Sequence, residues 1–300
     1  MDCAKPSASL TVRLFQGRIA VLATMHHKEQ VIAPLLETEL GMQVHLPSAF
    51  EIDLDTDQFG TFTRDIKRPA DQLNTARLKI QAALDKTGQT LGIASEGAFG
   101  PHPALPYLPC DREMVVLIDR EHDLELVGQV VALETNYSHC QIRSYKEALE
   151  FGHKAGFPQH GLVVIAGVAT GEVVDRQKLI KGIVTAAQLQ EAVSWALTQA
   201  ETVQVETDMR ALYNPTRMKV IEQATQELLK QVKSVCPECE MPGFSVIERR
   251  PGLPCSLCRL PTSLIRTAVY QCQVCQFSQE ILFPDGVEMA DPTYCSYCNP

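Results

Sequence analysis

The segment GIASEGAFGPHP, residues 92–103, decides how the larger part of this chain is read. One carboxylate, Glu96, stands among glycines and small residues at the end of QTLGIAS, which reads as a buried strand. A helix-like segment precedes it, and a second strand-like segment, EMVVLIDR, follows. In open α/β sheets, ligands bind beyond the carboxyl ends of strands. Glu96 is expected at such an end, where Gly92, Gly97 and Gly100 would let a ligand come close to the backbone.

Outward from this point the periodicity alternates. RIAVLAT (18–24) is a short apolar run with the character of a buried strand. HKEQVIAPLLETELG (27–41) carries Val31, Ile32, Leu35, Leu36 and Leu40 at helical spacing and stops at a glycine. Pro34 fits that helix if it starts late. MQVHL reads as a second strand, and FEIDLDTDQFGTFTRDIKR (50–68) as an exposed acidic loop with a short strand. PADQLNTARLKIQAALDKTG (69–88) reads as a helix, and LELVGQVVALET as a strand bent at Gly128. The order β-α-β-α-β-β-β predicts an α/β fold, a layered mixed sheet with helices on both faces. Helices over 144–156, 186–200 and 215–233 then alternate with the strands GLVVIAG and TVQVET.

Three hundred residues suffice for a sizeable core in one or two domains. The formal charge of −9 excludes a global basic field for nucleic acid or anionic membrane. No apolar run approaches the roughly 18–20 residues that cross a bilayer, and no secretory apolar region opens the chain. The expectation is a cytoplasmic protein without membrane partners. Three parts are expected: a flexible tail over 1–16, an α/β domain over 17–233, and a cysteine-rich module over 234–300.

That module holds four CxxC pairs: Cys236/Cys239, Cys255/Cys258, Cys272/Cys275 and Cys295/Cys298. The intervals between pairs are 15, 13 and 19 residues. A CxxC turn brings two thiolates to one ion, and a second such turn closes a tetrahedral site. The spacing predicts a small double zinc-ribbon module with two structural Zn²⁺ ions. The simplest pairing joins the first two pairs and the last two. The alternative joins first with third and second with fourth. Arginines and tyrosines in the block suit nucleic acid, yet its acidic residues and the thiolates offset them, so a protein partner stays open beside it.

Charged residues also gather where strands give way to helices. ATMHHKE (23–29) offers Thr24 and Lys28 near a helix start, where free N–H groups suit an anion. NTARLK places Arg77 and Lys79 on a helix, and ETDMRALYNPTR (206–217) is dense in charge, with Asp208, Arg210, Asn214 and Arg217.

Through GTFTRDI, ASEGAFGPHP and NPTRM, the chain resembles an uncharacterised bacterial family, a domain of unknown function with C-terminal zinc-binding cysteines. Its first 230 or so residues also resemble the inosine/xanthosine triphosphate pyrophosphatase superfamily. Ala23, Thr24 and Lys28 match its opening strand end, Ala76 and Arg77 its next helix, Glu96 and Gly97 its acidic strand end, and Thr216, Arg217 and Ala224 its last helix. The first turn is one residue shorter, His26 and His27 stand where that superfamily has asparagine, and the cysteine block is extra. The resemblance implies a two-lobed fold in which Lys28 and Arg217 hold phosphates. It also implies carboxylates including Glu96 on a divalent metal, and water attack between the α- and β-phosphates. Oxygen ligands and phosphates suit Mg²⁺. Two functions therefore stay open: hydrolysis of a nucleotide or other phosphorylated small molecule, or noncatalytic binding of nucleic acid or protein through the ribbons.

Overall fold

The computed structural model describes residues 10–167 and 174–300. Their elements run α1 (Leu10–Phe15), β1 (Ile19–Ala23), α2 (Glu29–Leu40), β2 (Gln43–His45), α3 (Gln72–Thr87), β3 (Leu91–Pro101), β4 (Pro109–Asp119), β5 (Leu124–Ala132) and β6 (His139–Ile142). They continue with α4 (Tyr145–Ala155), β7 (Leu162–Ala166), β8 (Leu179–Ile183), α5 (Ala186–Gln199), β9 (Val203–Thr207), α6 (Pro215–Lys233), β10 (Ser245–Pro251), β11 (Ile265–Gln271) and β12 (Ser278–Leu282). They group into two compact units, Phe15–Leu229 and residues 10–14 with 230–300.

The larger unit contains a five-stranded sheet in the order β2-β1-β3-β4-β5. β1 runs parallel to β2 and β3, while β3, β4 and β5 form an antiparallel meander. Side chains alternate between its faces. On one face α3 lays Ile80 and Leu84 against Gly92, where a Cβ would stand 2.5 Å from Ile80. On the other, α6 presses its backbone onto Gly128, where a Cβ would lie 2.2 Å from the Ala224 carbonyl oxygen. Gly128 therefore serves helix packing within a continuous strand. The expected mixed sheet with helices on both faces is what forms. A second, antiparallel sheet, β6-β9-β7-β8, packs against α4 and α5 around Leu162, Val164, Leu189, Val193 and Val205.

Several local expectations are corrected. Of the tail expected over 1–16, residues 1–9 lie outside the described residues, and Leu10–Phe15 is helical with Phe15 fully buried. α2 begins at Glu29, so Pro34 lies inside it. The 50–68 loop contains a 3₁₀ turn at Thr56–Phe59 and no strand. β3 does not stop at Glu96: it pairs with β4 from Leu91↔Asp119 through Pro101↔Pro109, and that ladder keeps the glycine-rich stretch extended.

Candidate functional site

The parallel pairing of β1 with β3 ends at Ala23↔Ala94. β3 runs on for seven residues, so its β1-side edge opens into a cavity of about 690 Å³, within the usual size of a small-molecule site. Lys28 Nζ donates to the Ser95 carbonyl at 3.2 Å and to Ser95 Oγ at 3.0 Å. Arg68 Nη2 donates to the Gly97 carbonyl at 2.7 Å. The freed edge is thus met by cations in place of a neighbouring strand.

Thr24, Lys28, Glu96, Arg210 and Arg217 all line this cavity. Eight lysines and arginines line it against three carboxylates, in a chain whose formal charge is −9. Phe62, Phe99 and Tyr137 add an aromatic wall, with ring centroids 5.7–6.4 Å apart.

The groups approach from both faces of β3. On the α3 face, buried Glu96 pairs with Lys79 and with Arg68 Nη2 at 3.2 Å. Its carboxylate is already engaged by two cations. On the α6 face, Arg217 Nε donates to Glu113 Oε1 at 2.7 Å, and its Nη1 donates to the Met209 carbonyl. The guanidinium also lies over the Phe99 ring, 5.0 Å from its centroid. Burial, then the charge of Arg217, pushes the Lys28 ammonium down to about 7.

Three expected site residues stand elsewhere or act indirectly. Arg77 is outside the cavity, bonding Glu125 at 2.6 and 2.7 Å. Two residues along a helix turn a side chain about 200°, so Lys79 reaches the cavity instead. Asp208 is fully buried and does not line it; its carboxylate holds Arg210 at 2.7 Å and accepts the Gly182 N–H at 3.0 Å. Asn214 is also buried. Its Oδ1 accepts the Arg217 N–H at 3.0 Å, capping α6 ahead of Pro215 and so fixing where Arg217 begins.

Sequence reading missed Asp111 and Glu113, which share one face of β4 and are buried beneath Arg217. Burial first, then the charge of Glu113, pushes Asp111 up to about 8, so it holds a proton at neutral pH. The available signal was two acidic residues at strand spacing inside CDREMVVLID. Lys181 and Glu206, also on the cavity wall, belong to β8 and β9.

In the cysteine-rich unit the four knuckles repeat one geometry. The N–H after each CxxC returns to the carbonyl of its first cysteine, from Glu240, Arg259, Gln276 and Asn299, at 2.8–3.1 Å. The tetrads are Cys236/Cys239/Cys272/Cys275 and Cys255/Cys258/Cys295/Cys298, each with its sulfurs within 4.8 Å of one another. This corrects the sequential pairing expected above. β10, β11 and β12 form one antiparallel sheet. Returning along β11 carries Cys272 back beside the start of β10, near Cys236, while the β10–β11 loop holds Cys255 and Cys258 at the other end. β12 then leads the chain back to that far end. At about 3.3 Å per residue, seven-residue strands keep the two ends roughly 20 Å apart. Closed thiolate tetrads of this kind fit a metal ion such as zinc.

A family model described as a domain of unknown function (DUF6671) matches residues 79–300, and the chain belongs to that family. No curated protein matches the chain. Among the described residues no helix is long and apolar enough to cross a membrane.

Proposed function

We propose that the cavity at the open edge of β3 binds a phosphorylated small molecule, a nucleotide by preference, and that the two cysteine tetrads hold structural zinc. The observation that carries the first reading is the concentration of eight lysines and arginines in one cavity of an acidic protein, beside three aromatic rings. Guanidinium and ammonium groups match phosphate oxygens, and aromatic faces accept a base.

The reaction this arrangement favours is hydrolysis within the phosphate chain. Lys28 and Arg217 would contact the phosphates and stabilise developing charge. Glu96, paired with Lys79 and Arg68, would keep those cations in place. The residues do not fit a ready Mg²⁺ site. Among the described residues, no metal-binding group of three acidic, histidine or cysteine side chains includes Glu96, whose carboxylate is taken up by Lys79 and Arg68.

A panel of nucleoside mono-, di- and triphosphates and sugar phosphates, screened by thermal shift and phosphate release, tests this. Saturating ligand at about 100 times its dissociation constant should stabilise the fold by about 2.7 kcal/mol. A panel with no stabilising or hydrolysed member would overturn the reading.

A second reading concerns residues 230–300, where Leu257 and Tyr297 occupy the same position in two knuckles of one tetrad and are 72% and 73% exposed. Apolar side chains so placed favour contact with a protein partner over nucleic acid. Leu257→Ser with Tyr297→Ser should abolish capture of such a partner without releasing metal.

A further inference from the structure

The segment from Gly60 to Arg68 crosses one wall of the cavity, and every one of its residues except Asp65 lines it. It closes on itself: the Thr61 N–H donates to the Ile66 carbonyl at 3.0 Å, and a Cβ at Gly60 would stand 2.8 Å from the Arg68 backbone. It is tied at two places. Arg68 holds Glu96 and the Gly97 carbonyl of β3. At the other, Asp65 turns away from the cavity, accepts Thr61 Oγ1 at 2.6 Å, and pairs with Lys181 at 2.8 Å and Arg176 at 3.1 Å, beside the second sheet. Arg64 adds an ion pair to Glu206, and its carbonyl accepts the Val174 N–H at 3.2 Å.

Phe62, Arg64 and Arg68 thus reach the cavity from a segment whose far tie is made mainly by one carboxylate that touches no ligand space. We propose that residues 60–68 are a strap that opens to admit an anionic ligand and closes over it, and that Asp65 is the positioning residue that latches it to Lys181 and Arg176. The ligand half of this inference rests on the phosphate reading of the cavity; the latch half does not. The Asp65 side chain is 4% exposed against 22% for Lys181, so the pair is largely shielded from solvent screening. Its loss should fall on strap opening, because the core beneath belongs to other residues.

The test uses the full chain and chymotrypsin, with cleavage after Phe59 and Phe62 read by mass spectrometry. Cleavage in such a segment follows the population of the open form. Asp65→Asn should raise the cleavage rate by about tenfold, with the melting temperature of the fold lowered by only about 2–6 °C. Lys181→Met combined with Arg176→Gln breaks the same latch from the opposite side, leaves the strap sequence intact, and should give the same increase. Inorganic triphosphate should slow cleavage of the wild type. Wild-type cleavage rates in the second variant would overturn the latch, whatever Asp65→Asn does to folding. Faster cleavage in both variants, with no protection of the wild type by triphosphate, would uphold the latch and refute the anionic ligand.

Discussion

Arg217 bonds Glu113 at 2.7 Å across the space that a side chain at position 97 would occupy. A Cβ on Gly97 would lie 2.2 Å from Glu113 Oε1 and 2.5 Å from Arg217 Nη2. Glycine is therefore required there by two buried charges rather than by backbone conformation. Gly97→Ala should force the pair apart. Removing one partner of a buried ion pair costs about 3–5 kcal/mol, so Glu113→Ala should destabilise the fold by that order and Gly97→Ala by a comparable amount. Urea denaturation of both variants at neutral pH checks this. Gly97→Ala with wild-type stability would show that the pair tolerates separation.

Beneath that pair, Asp111 gives stability a pH dependence of definite sign. Its folded pKa is raised to about 8, far above the ordinary aspartate value. The native state therefore holds a proton between these values that the unfolded state has released. Stability contributed by this group is full below the unfolded value and is lost as pH rises towards 8. Asp111→Asn keeps a neutral side chain of similar shape and should flatten that decline. Unfolding free energies measured at pH 5 and pH 8 should converge in the variant and differ in the wild type. Equal differences in both proteins would remove Asp111 as the cause.

The interleaved cysteines predict which ligands share an ion. Cys236→Ser with Cys272→Ser strikes one tetrad and should leave one zinc ion per chain. Cys236→Ser with Cys255→Ser strikes both and should leave none. Elemental analysis of purified variants reads this directly, and the reverse pattern would restore the sequential pairing. A strong chelator should unfold residues 230–300, because such sites supply folding energy directly.

How legible was this arrangement in the sequence? The strands and helices around Glu96 could be read because apolar periodicity is a local signal. The four CxxC pairs were equally plain, but their pairing depends on strand register, a long-range property: one three-stranded sheet puts alternate knuckles together. The Ala76-Arg77 pair that carries the resemblance is visible in sequence, whereas the helix face that brings Lys79 to the cavity is visible only once α3 is docked on β3. Asp208 and Asn214 were recognised as polar residues that matter, but their partners, Arg210 and the N–H of Arg217, make them supports rather than ligand contacts. β6 and β8 escaped notice because short, partly exposed strands carry little alternation. Lys181, on β8, was lost with them.

Lys28 supplies the last prediction. It is buried, and among the described residues its ammonium bonds the carbonyl and hydroxyl of Ser95. Burial and neighbouring Arg217 bring it down to about 7, while Glu113 and Glu96 pull the other way. In the free protein it is charged below this value and increasingly neutral above it. An anion in the cavity favours the charged form, so binding above pH 7 must take up a proton. Affinity for inorganic triphosphate should therefore fall from pH 7 to pH 8.5 in the wild type. Lys28→Arg keeps its charge throughout and should lack this decline, while Lys28→Met should bind weakly at every pH. Because the phosphates also titrate, the informative quantity is the difference in slope between wild type and Lys28→Arg. Calorimetry in buffers of different ionisation enthalpy gives the proton count independently. Identical slopes, with no proton taken up, would place Lys28 outside the anion's reach.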